Sequence, residues 1–197
     1  MTLQWKVVEE KTGFRGFFHL VVYRLKHELF AGGWSDSIER EVLQRGHAAA
    51  VMPYDVNTDS MLLIEQFRAG AMQSERGPWL HECIAGIVEE GEAEQDVVRR
   101  EAREEAGLDL DELHYLTTYY PTPGGSSETI ALYWAPCDLS NAGGNFGLAE
   151  EGEDIRASVV PMDKAMTMLD AGEINNSVTM ILLLWFYRHQ SSLKKYI

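Results

Sequence analysis

The chain has 197 residues, 17 basic against 31 acidic with a net charge of −14, and 45% of its residues are hydrophobic. That hydrophobic share is too high for a disordered chain, and the length suits one domain with a full core, alone or with a small appendage. The acidic balance argues against general nucleic-acid binding, which draws on basic surface, and no apolar run approaches the roughly 18–20 residues of a membrane span.

The opening "MTLQWKVVEEK" lacks the basic-then-apolar layout of a signal peptide. Residues 17–29, "FFHLVVYRLKHEL", are rich in aromatic and β-branched residues and predict a strand, and "AGGWSDS" (31–37) supplies the turn after it. "IEREVLQR" (38–45) suits a further strand or a short helix, so residues 1–46 form a small β-rich region. From His47 the chain changes character: "AAAVMPYD", the turn "VNTDS" and "MLLIEQFR" predict an apolar hairpin or meander. "WLHECIAGIV" (79–88) is another strand, leading into a glutamate-rich segment. "YLTTYYPT" and "TIALYWAPC" are strands joined by the turn "PGGSS" (123–127). A long polar loop (138–154) precedes the strand "IRASVV", and residues 161–171 and 175–189 read as helices. "MILLLWFY" (180–187) is too short to span a membrane and belongs to a buried helix. Cys83 and Cys137 lie on apolar segments, as reduced thiols of a cytoplasmic protein do. Strands alternating with a few helices predict a mixed α/β (α+β) domain over 47–197.

Residues 93–106 contain neither Gly nor Pro and are rich in Glu, Ala and Arg, which predicts a helix stopped by Gly107. At about 100° per residue, Glu101 and Glu105 lie about 40° apart, with Glu104 about 60° to the other side. Val98, Ala102 and Ala106 form the adjoining apolar stripe, while Arg99 and Arg103 point away from the carboxylates. Acidic residues near a helix C-terminus oppose its dipole. Two readings fit: a solvated Glu/Arg helix, or a site where a hard divalent cation relieves the repulsion. With no His or Cys in the helix, magnesium or manganese suits such a site better than zinc.

The spacing separates these readings. Gly86, five residues, Glu92, seven residues, then "REAREEAGL" (100–108) resembles the Nudix box, G-x5-E-x7-R-E-U-x-E-E-x-G-U, with Ala102 a small occupant of a position usually held by a bulky aliphatic residue. The resemblance extends through "RGFF" (15–18), "RGHAA" (45–49), "LLIEQFR" (62–68), "ECIAGIVEEGE" (82–92), "PTPGGSSE" (121–128) and "GLAEEGEDI" (147–155) to the bacterial ADP-ribose pyrophosphatases of that superfamily. It implies a Nudix fold, a mixed β-sheet sandwiched between helices, with residues 1–46 as a dimerisation region of a homodimer. It further implies Mg2+-dependent hydrolysis of ADP-ribose to AMP and ribose 5-phosphate, with Mn2+ as a substitute. Position by position, it implies metal ligation by Glu101, Glu105, Glu153 and the Ala85 carbonyl, with Glu104 close by. Arg100 then orients the carboxylates, and Glu151 is the general base. Arg40 and Arg68 match positions that grip phosphates and the terminal ribose, though each also suits a surface ion pair. Glu128 resembles a reader of ribose hydroxyls, and Phe17 an aromatic stacked on adenine, or else a core residue. The alternatives are hydrolysis of another nucleoside diphosphate derivative (a nucleotide sugar, NADH or a diadenosine polyphosphate) and a non-catalytic ADP-ribose-binding module.

Overall fold

The computed structural model describes residues 2–193, apart from the side chains of Glu151, Gln190, Ser191 and Ser192. Among these residues the strands are β1 (Trp5–Arg15), β2 (His19–His27), β3 (Ile38–Gln44), β4 (His47–Asp55), β5 (Ser60–Phe67), β6 (Trp79–Glu82), β7 (Ile84–Val88), β8 (His114–Tyr119), β9 (Thr129–Pro136), β10 (Gly144–Phe146) and β11 (Ile155–Pro161). The helices are α1 (Glu94–Ala106), α2 (Met162–Asp170) and α3 (Ser177–Leu193). The chain divides into two compact units, one holding residues up to His47 with Tyr119–Thr129, the other Ala48–Thr118 and the chain from Ile130 onward.

The first unit is an antiparallel sheet ordered β1-β2-β3. Residues 38–44 are therefore strand, not helix. β1 has no counterpart in the sequence reading, because two register shifts, between Val7 and Glu9 and between Thr12 and Phe14, scramble its alternation of faces. The segment 119–129 joins this unit through main-chain bonds, Leu43 N–H to the Gly125 carbonyl (2.9 Å) and Ser127 N–H to the Leu43 carbonyl (3.0 Å). Trp5, Phe14, Phe17 and Phe30 are all exposed.

In the second unit the main sheet runs β10-β11-β5-β4-β9-β8. Its central strands read as nearly unbroken apolar runs because both faces are covered. On one face Val51, Leu62, Ile64, Ala131 and Tyr133 pack with Val97, Val98, Ala102 and Ala106 of α1. On the other, Tyr54 and Trp134 meet Phe186 of α3 at ring-centroid distances of 4.7 and 5.8 Å. The helix-flanked sheet expected from the sequence is thus present. The polar stretch 138–154 contains one strand, β10, whose Gly144, Asn145 and Phe146 pair with Ala157, Arg156 and Ile155 of β11.

The expected single strand over 79–88 is divided at Cys83. β6 pairs with β5, whereas β7 pairs with β4. At the break the Cys83 N–H leaves the ladder and donates to Thr179 Oγ1 of α3 (2.9 Å). Asn176 fixes that helix end: its Oδ1 accepts the Thr179 N–H (3.1 Å), and its Nδ2 donates to the His81 carbonyl (2.7 Å). The first turn of α3 thereby holds the point where the chain changes sheet partners, two residues before Ala85. Thr179→Val keeps the shape but orphans a buried N–H, which costs about 1–3 kcal/mol. Urea denaturation should show a lower midpoint with an unchanged slope.

Candidate active site

α1 begins with Glu94 and Asp96 in its first turn, where the helix dipole favours them, and ends at Gly107 with φ +64°. Gly107 N–H reaches the Arg103 carbonyl (3.0 Å), and Leu108 N–H the Ala102 carbonyl (2.9 Å). The buried stripe of Val97, Val98, Ala102 and Ala106 sets the rotation of the helix, so that Glu105 is buried too, only 3% exposed. Arg99 turns away to the carbonyls of Leu110 and Asp111, and Arg103 pairs with Asp109.

Two contacts lock α1 onto β7. Glu105 Oε2 accepts the Ala85 N–H at 3.2 Å. Glu101 lies directly over the backbone of Gly86, where a Cβ would stand 2.5 Å from Glu101 Cγ and closer still to its carboxylate. Glycine at residue 86 is therefore a requirement of close approach.

Arg100 gathers the remaining acids of the box. Its Nη1 donates to Glu101 Oε1 (2.8 Å) and Glu104 Oε2 (3.1 Å), and its Nε to Glu92 Oε1 (3.3 Å). Glu105 lies outside this set, its Oε2 held by the Ala85 N–H instead. Burial pushes its carboxyl up to about 8, with the Glu101 charge adding to it, while the Ala85 N–H and Arg68 pull the other way. Burial also pushes Glu101 up to about 6, against the pull of Arg100.

The loop after β10 brings in a further acid. Gly147, at φ +103°, donates its N–H to the Glu104 carbonyl at the end of α1 (3.3 Å). Glu153 folds back, its N–H donating to the Leu148 carbonyl (3.1 Å) and its Oε2 accepting the Leu148 N–H (3.3 Å). Its charge reaches both Glu101 and Glu105 and raises both. The Ala149–Glu151 turn lies between, and the side chain of Glu151 is outside the described residues.

Arg68 belongs to the same unit, with its Nε bonded to Glu82 Oε2 at 2.8 Å. Burial raises the Glu82 carboxyl, and Arg68 opposes that shift. The remaining substrate-binding candidates belong to the first unit. Phe17 is 87% exposed and touches Phe18 edge-on, so it is not a core residue. Arg40 is exposed and donates to the neighbouring Glu39 carbonyl (2.7 Å). Glu128 is held by Arg45 Nε at 3.2 Å, and that guanidinium also covers the Phe18 ring. Neither Glu82 nor Arg45 stands out in the sequence reading. The available signal was their place inside "ECIAGIV" and "RGHAA", where only cross-strand neighbours reveal a partner.

Among the described residues, no three Asp, Glu, His or Cys side chains are arranged to hold one metal ion as they stand. Glu101 is drawn to Arg100, Glu105 to Ala85 and Glu153 to Leu148. The donor chemistry nevertheless fits a hard divalent cation. Every acidic donor is a carboxylate, and a buried carboxyl near 8 beside one near 6 forms a pair whose charged forms such an ion would favour.

A match to the NUDIX domain family covers residues 44–180. The chain belongs to the Nudix family. It is 41% identical over 189 residues to the ADP-ribose pyrophosphatase of Escherichia coli, covering 96% of this chain and 90% of that one. It is 42% identical over 193 residues to the ADP-ribose pyrophosphatase of Haemophilus influenzae, covering 96% and 89%. The GDP-mannose pyrophosphatase of Citrobacter koseri is 34% identical over 160 residues, covering 79% and 80%. A solved structure titled as an ADP compounds hydrolase matches in fold at a TM-score of 0.70 and 18% identity, covering 100% of this chain and 98% of that one.

The buried carboxyl generates a pH-dependent expectation for the Nudix box. In metal-free protein, a folded-state value raised from 4.5 to about 8 means Glu105 is harmless while protonated. It opposes folding increasingly as pH rises from the ordinary carboxylate range through 8. Glu105→Gln cannot ionise, so in chelator it should match the parent near pH 4.5 and exceed it by about 1–3 kcal/mol at pH 8.5. Urea midpoints at the two pH values measure the difference. A gap of equal size at both would assign the effect to packing.

Proposed function

We propose that this Nudix hydrolase of a nucleoside diphosphate derivative cleaves the pyrophosphate of ADP-ribose with water, giving AMP and ribose 5-phosphate. The observation that carries this choice is the 41–42% identity to two ADP-ribose pyrophosphatases over 96% of the chain, against 34% to a GDP-mannose pyrophosphatase over 79%. Glu101, Glu105, Glu153 and the Ala85 carbonyl would hold magnesium or manganese, which supplies positive charge for the pyrophosphate oxygens. The protein's own groups divide the remaining work. Arg100 fixes Glu101 and Glu104 in place through the bonds described above. Glu151 accepts the proton of the attacking water. Arg68 and Arg40 bind phosphate and ribose oxygens, which an acidic chain needs if it is to attract an anion. Phe17 offers its exposed ring to adenine, and Glu128 accepts hydrogen bonds from ribose hydroxyls.

A homodimer is part of this reading. Trp5, Phe14, Phe17 and Phe30 expose 71, 64, 87 and 99% of their surface on a three-stranded unit, more apolar surface than a solitary sheet normally leaves in water. Sedimentation velocity at micromolar concentration should give twice the 22.3 kDa chain mass. A monomer that still cleaves ADP-ribose would remove the dimer from the proposal.

Chromatographic separation of products after incubation with ADP-ribose and magnesium should show AMP, with kcat/KM at least about tenfold above that for GDP-mannose. Glu151→Gln should lower kcat by about 10²–10⁴ with little change in KM, as loss of a general base does. Faster cleavage of GDP-mannose would reassign the substrate while leaving the chemistry intact.

A further inference from the structure

We infer that Glu82 and Gln66 are positioning residues that aim the Arg68 guanidinium at a diphosphate, an inference that rests on the proposed phosphate-gripping role of Arg68. β5 and β6 are antiparallel, with Ile64 opposite Glu82 and Gln66 opposite Leu80. Ile64, Gln66 and Arg68 alternate onto one face, and Leu80 and Glu82 share it, so Gln66 and Glu82 are diagonal neighbours. Ile64 belongs to the core under α1, so this is the sheet face on which α1, the helix of Glu105, packs. Arg68 remains extended beyond β5 (φ −122°, ψ 109°), with its N–H bonded to the Pro78 carbonyl at 2.8 Å.

The ion pair is asymmetric. The Glu82 side chain is 14% exposed and that of Arg68 45%. The carboxylate engages Nε at 2.8 Å, the inner edge of the guanidinium. That leaves the two terminal nitrogens as a planar fork for anionic oxygens. An ordinary surface ion pair has both partners solvated and adds little. Here one partner is sunk in the sheet, and the other extends from it.

Gln66 supplies the second observation. It is 5% exposed, and its side-chain amide lies close enough to the Glu82 carboxylate to favour the charged form, though Nε2 makes no hydrogen bond of normal geometry. A buried amide donor needs a partner, and the Glu82 carboxylate beside it is the one this donor has. Its place beside Glu82, whose charged form it favours, suits a donor that steadies the carboxylate when an anion draws on Arg68. The Arg68 charge also reaches Glu105, which links this network to the acids of α1.

The test uses the full-length protein and ADP, which presents a diphosphate whatever group is attached to it. Titration calorimetry with ADP in chelator and in magnesium should show binding weakened about 5–20-fold by Glu82→Gln, the usual size of a lost charge-assisted contact. Gln66→Met, close in shape, should weaken it about 2–5-fold and serves if Glu82→Gln fails to fold. Arg68→Lys loses the fork, and combining it with Glu82→Gln should cost no more than Arg68→Lys alone. With ADP-ribose, Glu82→Gln should raise KM while kcat stays within about threefold. Additive losses, a fall in kcat at unchanged ADP affinity, or an Arg68→Lys variant that binds ADP normally would each overturn the inference. Absence of AMP from ADP-ribose alongside the expected ADP pattern would count against the substrate reading alone.

Discussion

The approach of α1 to β7 is the constraint on which this protein depends. The Glu101 side chain occupies the space over Gly86 that any other residue would fill, and Glu105 bonds the adjacent Ala85 N–H. These contacts bring two carboxylates against main chain in a partly dehydrated layer, where like charges are expensive. A helix could avoid that cost by turning its acids to water. The buried stripe of Val97, Val98, Ala102 and Ala106 prevents the rotation, so packing on one side of the helix enforces electrostatic tension on the other.

Within that layer the protein uses cations unevenly. Arg100 binds Glu92, Glu101 and Glu104, and Arg68 binds Glu82 from the sheet side. Glu105 receives a backbone N–H and only the more distant charge of Arg68. The local balance is therefore negative, in a chain whose net charge is already −14. A field of this sign weakens the binding of a diphosphate, and added positive charge would strengthen it, which ties the proposed metal to the proposed grip on phosphate. Glu153, in the loop after Gly147, adds negative charge from outside the helix, while the bond from the Gly147 N–H to the Glu104 carbonyl ties the loop to the end of α1.

Much of this was legible because it is local. The box carries its spacing in 23 consecutive positions, from Gly86 to Leu108. The helix, its stop at Gly107 and its apolar stripe follow from propensity and period alone. The unread parts are those that depend on distant partners. β1 is hidden because its bulges erase the alternation that marks a strand, and β10 because three residues in a glycine-rich stretch carry too little pattern. The division at Cys83 turns on a hydroxyl 96 residues further along. The pairing of Arg68 with Glu82, like that of Arg45 with Glu128, exists only once strand register is known. Glu128 and Phe17 stand out by resemblance alone, and their own neighbourhoods in the sequence carry no independent mark.

The bond from Cys83 to Thr179 also has a consequence in time. Residues 84–106 hold the acids of the box, yet the strand break that presents Ala85 and Gly86 to α1 is secured by a helix near the end of the described residues. During synthesis, those central residues leave the ribosome long before α3 does, and long-range contacts of this kind form late. Until α3 docks, the Cys83 N–H has no hydroxyl to receive it, and the strand has no fixed point at which to change partners. A nascent chain thus carries every acid of its box before it can arrange them, and assembly of the site coincides with completion of the core.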